Sequence, residues 1–276
     1  MESTFADLKT LTAAITDRHS VRTYDGRDLN GSQKLRLNNI IARLSAGRRH
    51  KWTISLASGD GGTFRPSTYG VIKGARTYAL LTYDTTDETS AFAAGYAMER
   101  VVLEAVSMGL GTCWIGGTFK EKTFMDAVNV PDGQTLAAVV SIGYDSGRTR
   151  LLERLTKAVA KSATRRPFND LFVATSPSGL IPLPSDSIWR NPLEAVRVAP
   201  SAVNAQPWRA VCDGERVHFF YRRSRSRSAL DMGIALCHFD IARQAAETEG
   251  RWSREQPDIE PPEDTVYAVT FTRSAK

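Results

Sequence analysis

The sequence predicts an α+β fold in which a central, mostly antiparallel sheet is flanked by helices. Segments typical of strands alternate with segments typical of helices, but without the regular rhythm of a doubly wound parallel sheet. Two strand-like segments, Arg209–Cys212 and Val217–Tyr221, lie on either side of the turn Asp213-Gly214. The chain has 276 residues, of which 42% are hydrophobic, so it is long enough to bury a sizeable core.

The first half of the chain predicts three helices and three strands. Ser90–Met108 is the clearest helix, because Phe92, Tyr96 and Val101–Leu103 give it an extensive apolar surface and Gly109 follows near its end. Segments rich in β-branched and aromatic residues and bounded by turn signals indicate the strands. The predicted helices are Thr4–Asp17, Gly31–Leu44 and Ser90–Met108, and the predicted strands are Trp52–Ser58, Thr77–Tyr83 and Leu136–Tyr144.

The second half begins with a basic connecting segment, Arg148–Arg166, which we expect to be partly helical. A short helix is predicted after Pro192, and a second long helix follows the hairpin strands. The predicted helices are Leu193–Val198 and Ala229–Glu247, and the predicted strands are Arg209–Cys212, Val217–Tyr221 and Thr265–Thr272.

Composition argues against several classes of protein. No run of eighteen apolar residues predicts a transmembrane helix, and Met1–Lys9 lacks the apolar core of a signal peptide. Cys113, Cys212 and Cys237 stand far apart without metal-ligand spacing, as expected in a reducing cytoplasm. The net charge of +6 comes from scattered basic residues, and the one dense run, Arg222–Arg227, alternates with serine as an exposed loop would. We therefore expect a cytoplasmic protein that binds no metal, no nucleic acid and no membrane.

The chain repeats itself at low identity. Placing Trp52 on Trp208 gives an offset of 156 residues, and placing Gly95 on Gly233 gives an offset of 138. The offset falls by 18 because the first copy carries an extra stretch, about Gly59–Gly74. Such a repeat predicts two related halves that meet at a pseudo-twofold axis, as the subunits of a dimer do. The predicted halves are residues 1–147 and 148–276.

Three segments carry residues suited to binding a phosphorylated, flat cofactor. Arg18-His19-Ser20-Val21-Arg22 places two guanidinium groups and a hydroxyl within five residues, and the planar fork of arginine matches phosphate oxygens. In Gly109–Gly117 the glycines let the backbone and its amide groups approach a flat ligand. In Ala199–Trp208, Asn204 and Gln206 each offer a donor and an acceptor. Each segment also has an interpretation without a ligand. In the order given, these are a solvated helix end, a helix terminus that turns into a strand, and an ordinary loop.

These three segments, in order along the chain, resemble the flavin-dependent nitroreductase superfamily. The resemblance is to the TM nitroreductase branch, in which one chain carries both halves of the pseudo-dimer, and it runs from Arg18 to about Ala242. Further matching segments are Tyr69–Ala75, Arg166–Phe172 and Asp231–Phe239.

The resemblance implies an FMN-binding site made by both halves. The first arginine cluster would bind the flavin phosphate, a late pair of arginines would close the phosphate and ribityl end, and the glycine segment would turn a backbone amide toward flavin N5. A loop of the second half would replace the one that a partner subunit lends in relatives. Ala202 departs from relatives that carry serine, which removes one possible hydrogen bond. The implied cofactor-binding residues are Arg18, His19, Ser20, Arg22, Ile115, Gly116, Gly117, Arg165, Arg166, Pro200, Ser201, Ala202 and Asn204.

The implied activity is hydride transfer from NADH or NADPH, a transient donor, to a small-molecule acceptor such as a nitroaromatic, a quinone or a flavin. No catalytic side chain is expected, because the flavin carries the chemistry, and Cys113 and His238 are interpreted as structural. The alternative is a flavin-storage protein, with Gly59–Gly74 as its lid; the intact arginine cluster opposes a third possibility, that flavin binding has been lost.

The two halves are unequal in the residues they offer to a flavin. At the offset of 156, the first half has Ser45, Arg48, His50 and Lys51 where the second half has Ser201, Asn204, Gln206 and Pro207. We therefore expect one FMN per chain, in a monomer with an internal pseudo-dimer or in a homodimer.

Overall fold

The computed structural model describes residues 5–47, 49–59, 64–148, 164–223 and 228–274. The chain forms two compact units, Met1–Ala160 and Lys161–Lys276, and each contains one sheet. The predicted α+β fold with mostly antiparallel strands flanked by helices is confirmed, and the strands are divided between the two sheets. Within the described ranges, no helix combines the length and apolar character needed to cross a membrane.

Unit 1 contains a four-stranded antiparallel sheet with the order β1-β2-β4-β3. Its longest helix, α3, packs against the other two long helices and against three of the strands. The helices are α1 (Leu8–Asp17), α2 (Gly31–Ser45), α3 (Glu88–Ser107) and α4 (Glu121–Met125), and the strands are β1 (Trp52–Ser58), β2 (Thr77–Tyr83), β3 (Gly111–Ile115) and β4 (Thr135–Gly143).

Helix α3 is held at its start by Asp87 and at its end by Glu104. The Asp87 carboxylate accepts the Thr89 and Ser90 amides, and bonds from the hydroxyls of Ser90 and Thr89 lower the pKa of Asp87 to about 2. Glu104 is fully buried and accepts the Ala6 amide at 3.0 Å. Because Ala6 lies just before α1, this bond fixes the start of α1 on α3.

The extended segment Ser20–Tyr24, which follows α1, is held by main-chain bonds. The Val21 amide donates to the Thr112 carbonyl of β3 at 2.9 Å. The Lys73 amide donates to the Arg22 carbonyl at 3.0 Å, and the Lys73 carbonyl accepts the Tyr24 amide at 2.8 Å. The segment is therefore fixed between β3 and the stretch that contains Lys73.

The described part of the extra stretch Gly59–Gly74 packs on unit 1. The Phe64 ring contacts the rings of Tyr78 and Phe124 edge to face, with centroids 5.9 and 5.5 Å away. Thr68 is buried, and its hydroxyl accepts the Ile72 amide at 3.0 Å. Residues 60–63 of this stretch lie outside the described residues.

Unit 2 contains a six-stranded sheet with the order β6-β5-β7-β8-β10-β9. All neighbours are antiparallel except the parallel pair β5–β7. The strands are β5 (Phe172–Ser176), β6 (Gly179–Pro182), β7 (Trp208–Asp213), β8 (Arg216–Tyr221), β9 (Gly250–Ser253) and β10 (Val266–Arg273), and the α-helices in the described residues are α5 (Arg190–Arg197) and α6 (Ser228–Ala245).

The core of unit 2 is built around the ring of Phe239 in α6. Its centroid lies 4.9 Å from that of Phe219, 5.6 Å from that of Phe271 and 6.0 Å from that of Trp189. These four side chains are buried, so they join the helices to one face of the sheet through apolar contact.

The two units share a strand connectivity. In both, a long helix lies between one pair of strands and the next, and the spatial order of these four strands is first, second, fourth, third: β1-β2-β4-β3 in unit 1 and β7-β8-β10-β9 in unit 2. In unit 2, β5 and β6 come before these four strands. Trp52 is the first residue of β1 and Trp208 the first of β7. The descent of both units from one ancestral subunit stays a prediction that this common order supports.

Several element boundaries differ from the sequence prediction. Helix α1 begins at Leu8 rather than Thr4 because the Asp7 carboxylate accepts the Thr10 amide and caps it. Helix α3 begins two residues earlier than predicted, because Asp87 caps it. The predicted helical character of Arg148–Arg166 lies mostly outside the described residues. The elements that the sequence prediction missed are β3, β5, β6, β9 and α4.

Gly111 at the start of β3 lets the segment after α1 approach the sheet. A methyl group on this residue would lie 2.8 Å from Val21 Cγ2. Gly111→Ala should lower the free energy of unfolding by about 1–3 kcal/mol, because valine is too stiff to move aside. Urea unfolding followed by circular dichroism measures the change.

The matched control is Gly31→Ala, because nothing lies within 4 Å of a methyl group placed there. We expect this control to change the unfolding free energy by less than about 0.5 kcal/mol. Equal effects of the two substitutions would show that the Gly111–Val21 contact does not limit the packing.

Candidate functional site

In unit 1, the predicted phosphate-binding residues lie at the end of α1 and in the extended segment that follows it. Arg18 closes α1 with extended backbone angles, and Ser20 pairs with Thr112 of β3. Because side chains alternate along an extended chain, Ser20 and Arg22 lie on one face, while the buried side chain of Val21 lies on the other. Arg18 lies two residues before Ser20, at the end of α1.

Two polar atoms beside this face have no hydrogen-bond partner among the described residues. They are the buried Nε of Arg18 and the buried hydroxyl of Thr112. Leaving a buried donor unpaired costs about 1–3 kcal/mol. Arg22 is itself 8% exposed. A buried guanidinium Nε without a partner among the described residues, as in Arg18, fits an oxyanion such as a phosphate group. Sequence reasoning missed Thr112, whose pairing with Ser20 becomes visible only in the folded chain.

His19 lies on the opposite side of the segment. Its Nε2 is 3.5 Å from the Asp145 carboxylate and its Nδ1 is 3.1 Å from the Asp17 carbonyl. Both ring nitrogens of His19 are therefore already in contact with the protein. In the structure, His19 could serve a ligand beside the arginines through its backbone.

Strand β3 lies within the predicted glycine segment Gly109–Gly117. Ile115 is buried and forms the last ladder pair of β3 with β4, Gly116 is half-buried, and Gly117 is exposed. The Trp114 ring is fixed by a 2.7 Å bond from its Nε1 to the buried carboxylate of Glu99 in α3. Sequence reasoning missed Glu99, which attaches this end of β3 to the longest helix of the unit.

In unit 2, the loop Ser201–Gln206 is strained. The φ angles of Val203, Asn204 and Gln206 are 48°, 58° and 47°, in the left-handed region. A β-branched residue seldom adopts this conformation, which costs of order 1–3 kcal/mol. Such strain persists only where surrounding contacts determine the backbone, and it concentrates at ligand-binding sites.

Two contacts hold this loop, which follows the half-buried Pro200. The buried carboxylate of Asp231, in the first turn of α6, accepts the Ala202 amide at 3.1 and 3.2 Å. The Ser201 hydroxyl accepts the Gln206 amide at 2.9 Å. Sequence reasoning missed Asp231 as a support of the loop because it lies in a different element.

The side-chain amides of Asn204 and Gln206 bind the segment that leads to β5. Asn204 donates to the Thr164 carbonyl at 2.7 Å and accepts from Arg165 at 3.1 Å. Gln206 accepts the Arg166 amide at 2.9 Å. The sequence suggested that both amides face a ligand; in the structure they form these bonds within unit 2, and their contact with a ligand stays a prediction. Arg165 likewise supports the loop.

The histidine and the three cysteines that the sequence analysis considered are buried. His238 is fully buried, and its Nδ1 contacts the Ala195 carbonyl at 3.0 Å, which joins α6 to α5. Cys113, Cys212 and Cys237 are buried and form no disulfide. In the part of the chain that the structure describes, no three His, Cys, Asp or Glu side chains are grouped as metal ligands.

Comparisons with known proteins identify the family. The profile of the family described as "Putative TM nitroreductase" matches residues 10–243. A Thermotoga maritima crystal structure with a nitroreductase designation is 20% identical, covers 95% of this chain and 93% of its own, and has a TM-score of 0.57. No curated protein is similar enough to count as a match.

Two further structures are similar over about half of this chain. A nitroreductase with bound FMN from Desulfitobacterium hafniense is 16% identical, covers 51% of this chain and 91% of its own, and has a TM-score of 0.42. A Clostridium acetobutylicum protein designated an NADH oxidase is 23% identical, with coverages of 49% and 89% and a TM-score of 0.39. The family profile supports an oxidoreductase, and because it spans most of the sequence, this chain belongs to the TM nitroreductase family of the nitroreductase superfamily.

Proposed function

We propose that this protein is an FMN-dependent oxidoreductase that passes hydride from NADH or NADPH to a small oxidised acceptor such as a nitroaromatic, a quinone or a flavin. The observation that supports the proposal is the buried Nε of Arg18, which has no hydrogen-bond partner among the described residues, in a chain of the nitroreductase family that also carries Ser20 and Arg22 just after it. When bound, FMN supplies the redox chemistry by taking up and releasing two electrons with a proton.

The residues of unit 1 would hold the phosphate and one edge of the flavin. Arg18 and Arg22 would donate charge-assisted hydrogen bonds to phosphate oxygens, and the Ser20 hydroxyl would add one more. Gly116 and Gly117 would bring backbone amides close to the ring, since they carry no side chain to block it.

The loop of unit 2 carries the other residues that the resemblance assigns to FMN. Pro200, Ser201, Ala202 and Asn204 would provide a surface whose shape is set before the ligand arrives, and such pre-organisation lowers the entropic cost of binding. The Ala202 amide is taken by Asp231, so Ala202 would contribute its methyl group. Arg165 would act on the flavin through the loop.

The compartment and the solution state belong to the same proposal. Three buried cysteines that form no disulfide suit a reducing cytoplasm. The site would be complete within one chain, whether the protein is a monomer with an internal pseudo-dimer or a homodimer.

The first prediction concerns turnover. The purified protein should be yellow, its visible flavin absorbance should be bleached by NADH or NADPH without oxygen, and a quinone should restore it. Anaerobic absorbance spectroscopy measures both steps. A yellow protein that neither nicotinamide can bleach would contradict the oxidoreductase and support flavin storage instead.

The second prediction concerns the phosphate. Arg22→Ala should weaken FMN binding roughly 10- to 100-fold, since a hydrogen bond from a charged group contributes about 1.5–3 kcal/mol. Riboflavin, which lacks the phosphate, should bind the wild type and the variant equally weakly. Quenching of flavin fluorescence measures both affinities. The matched control is Arg251→Ala, an exposed arginine of β9, which should bind FMN as the wild type does. If the wild type binds FMN and riboflavin alike, the phosphate assignment is wrong.

The third prediction concerns stoichiometry. The stretch of unit 1 that corresponds to the strained loop contains His50 and Lys51. His50 contacts Thr89 and Lys51 pairs with Asp84, so both side chains already have protein partners. Titration of the apo-protein should therefore saturate at one FMN per chain, and dilution should not release it. Two equivalent sites per chain would refute the proposed division of roles.

A further inference from the structure

Helix α3 carries a buried acidic side chain against the end of β3. Glu99 is fully buried, and its carboxylate accepts the hydrogen bond from Trp114 Nε1 at 2.7 Å. Trp114 is the last residue but one of β3 and pairs with Val140 of β4. A short bond to a charged acceptor therefore joins the long helix to the end of the strand.

The end of β3 is held from both faces of the sheet. Side chains alternate along a strand, so Trp114 faces α3, while Ile115 lies on the other face in a buried apolar cluster with Val139. The ladder between β3 and β4 ends with the pair Ile115–Val139. Gly116 and Gly117 follow directly, so the direction of their amides depends on how firmly the two residues before them are held.

The corresponding position of unit 2 is packed without an acid. At the offset of 138 residues, Trp252 of β9 corresponds to Trp114, and Cys237 of α6 corresponds to Glu99. The Trp252 ring lies 5.8 Å from the ring of Phe239 in α6, and Cys237 is fully buried. Apolar contact is therefore sufficient to pack this helix on this strand.

The residues that follow each tryptophan differ between the units as well. Unit 1 has Gly116-Gly117 where unit 2 has Arg254-Glu255. Burying a carboxylate is costlier than burying a thiol, because the charge loses its hydration. The acid is present in the half that carries the predicted flavin segment and is replaced in the half that does not, so a role at the flavin accounts for this cost better than packing does.

We propose that Glu99 is a positioning residue for the flavin. It holds Trp114, and through Trp114 the end of β3, so that the backbone amides of Gly116 and Gly117 keep a fixed direction toward the flavin ring. This inference rests on the proposed function and adds to it a residue that acts through another side chain.

A fixed amide that donates to the ring nitrogen N5 stabilises the oxidised flavin more than the reduced one, because N5 of the reduced ring carries a hydrogen of its own. Hydrogen bonds to ring nitrogens are among the means by which a protein tunes a flavin. Loss of the bond between Glu99 and Trp114 should therefore raise the reduction potential of bound FMN.

Redox titration of the FMN-bound protein measures this effect. In Glu99→Leu, the ratio of the affinities for reduced and oxidised FMN should rise about threefold to tenfold, which is about 15–30 mV for a two-electron couple. Glu99→Gln keeps an acceptor for the indole, so its ratio should stay within about twofold of the wild type. An unchanged potential in Glu99→Leu, or equal shifts in both variants, would overturn the proposal.

Trp114→Phe removes the donor of the same bond and should shift the potential as Glu99→Leu does. The double variant should shift it no further, since both substitutions act through one contact. The matched control is Trp252→Phe, the same change at the corresponding position of unit 2, whose affinity ratio should stay within about twofold of the wild type. Additive shifts in the double variant, or an equal shift in the control, would show that Glu99 does not act through Trp114.

Hydrogen exchange of the apo-protein gives a second readout that needs no flavin. The peptide that contains Gly116 and Gly117 should exchange about tenfold faster in Glu99→Leu than in the wild type, and a peptide from β9 should not change. Unchanged exchange at the glycines, or faster exchange in every peptide, would contradict a positioning role. A wild type that binds no FMN would refute the proposed function itself, whereas one that binds FMN with a potential unmoved by Glu99→Leu would refute this inference alone.

Discussion

Main-chain hydrogen bonds on both edges of Ser20–Tyr24 are the constraint on which the candidate site of unit 1 depends. Thr112 of β3 binds one edge of this segment and Lys73 the other. A chain fixed in this way has no freedom to rotate, so the alternation of its side chains decides where the charges go. Gly111 contributes by leaving room for Val21. The directions of the Ser20 and Arg22 side chains are therefore set by backbone pairing.

In unit 2, a loop backbone is fixed by side-chain hydrogen bonds rather than by pairing along an extended segment. Its loop adopts left-handed angles at Val203, Asn204 and Gln206, and the carboxylate of Asp231, with the amides of the loop itself, maintains that shape. The strain is offset by bonds within the unit.

Elements marked by their own local sequence could be predicted, whereas elements and contacts that depend on residues elsewhere in the chain could not. Trp52–Ser58 and Thr77–Tyr83 were predicted to the residue because β-branched and aromatic residues fill them and turns bound them. Strand β6 was missed because Gly179–Pro182 is exposed and becomes a strand only by pairing with β5. The Arg18–Arg22 motif can be recognised in the sequence because Arg18, Ser20 and Arg22 are spaced two residues apart. Asp231 supports a loop 29 residues earlier in the chain, and no local pattern marks such a contact.

The central claim is that the phosphate of FMN is bound by the residues that follow α1. A crystal structure of this chain with FMN tests it most directly. The account predicts phosphate oxygens within about 3 Å of the guanidinium groups of Arg18 and Arg22. A flavin phosphate bound elsewhere, with no ligand beside Arg18 and Arg22, would contradict it.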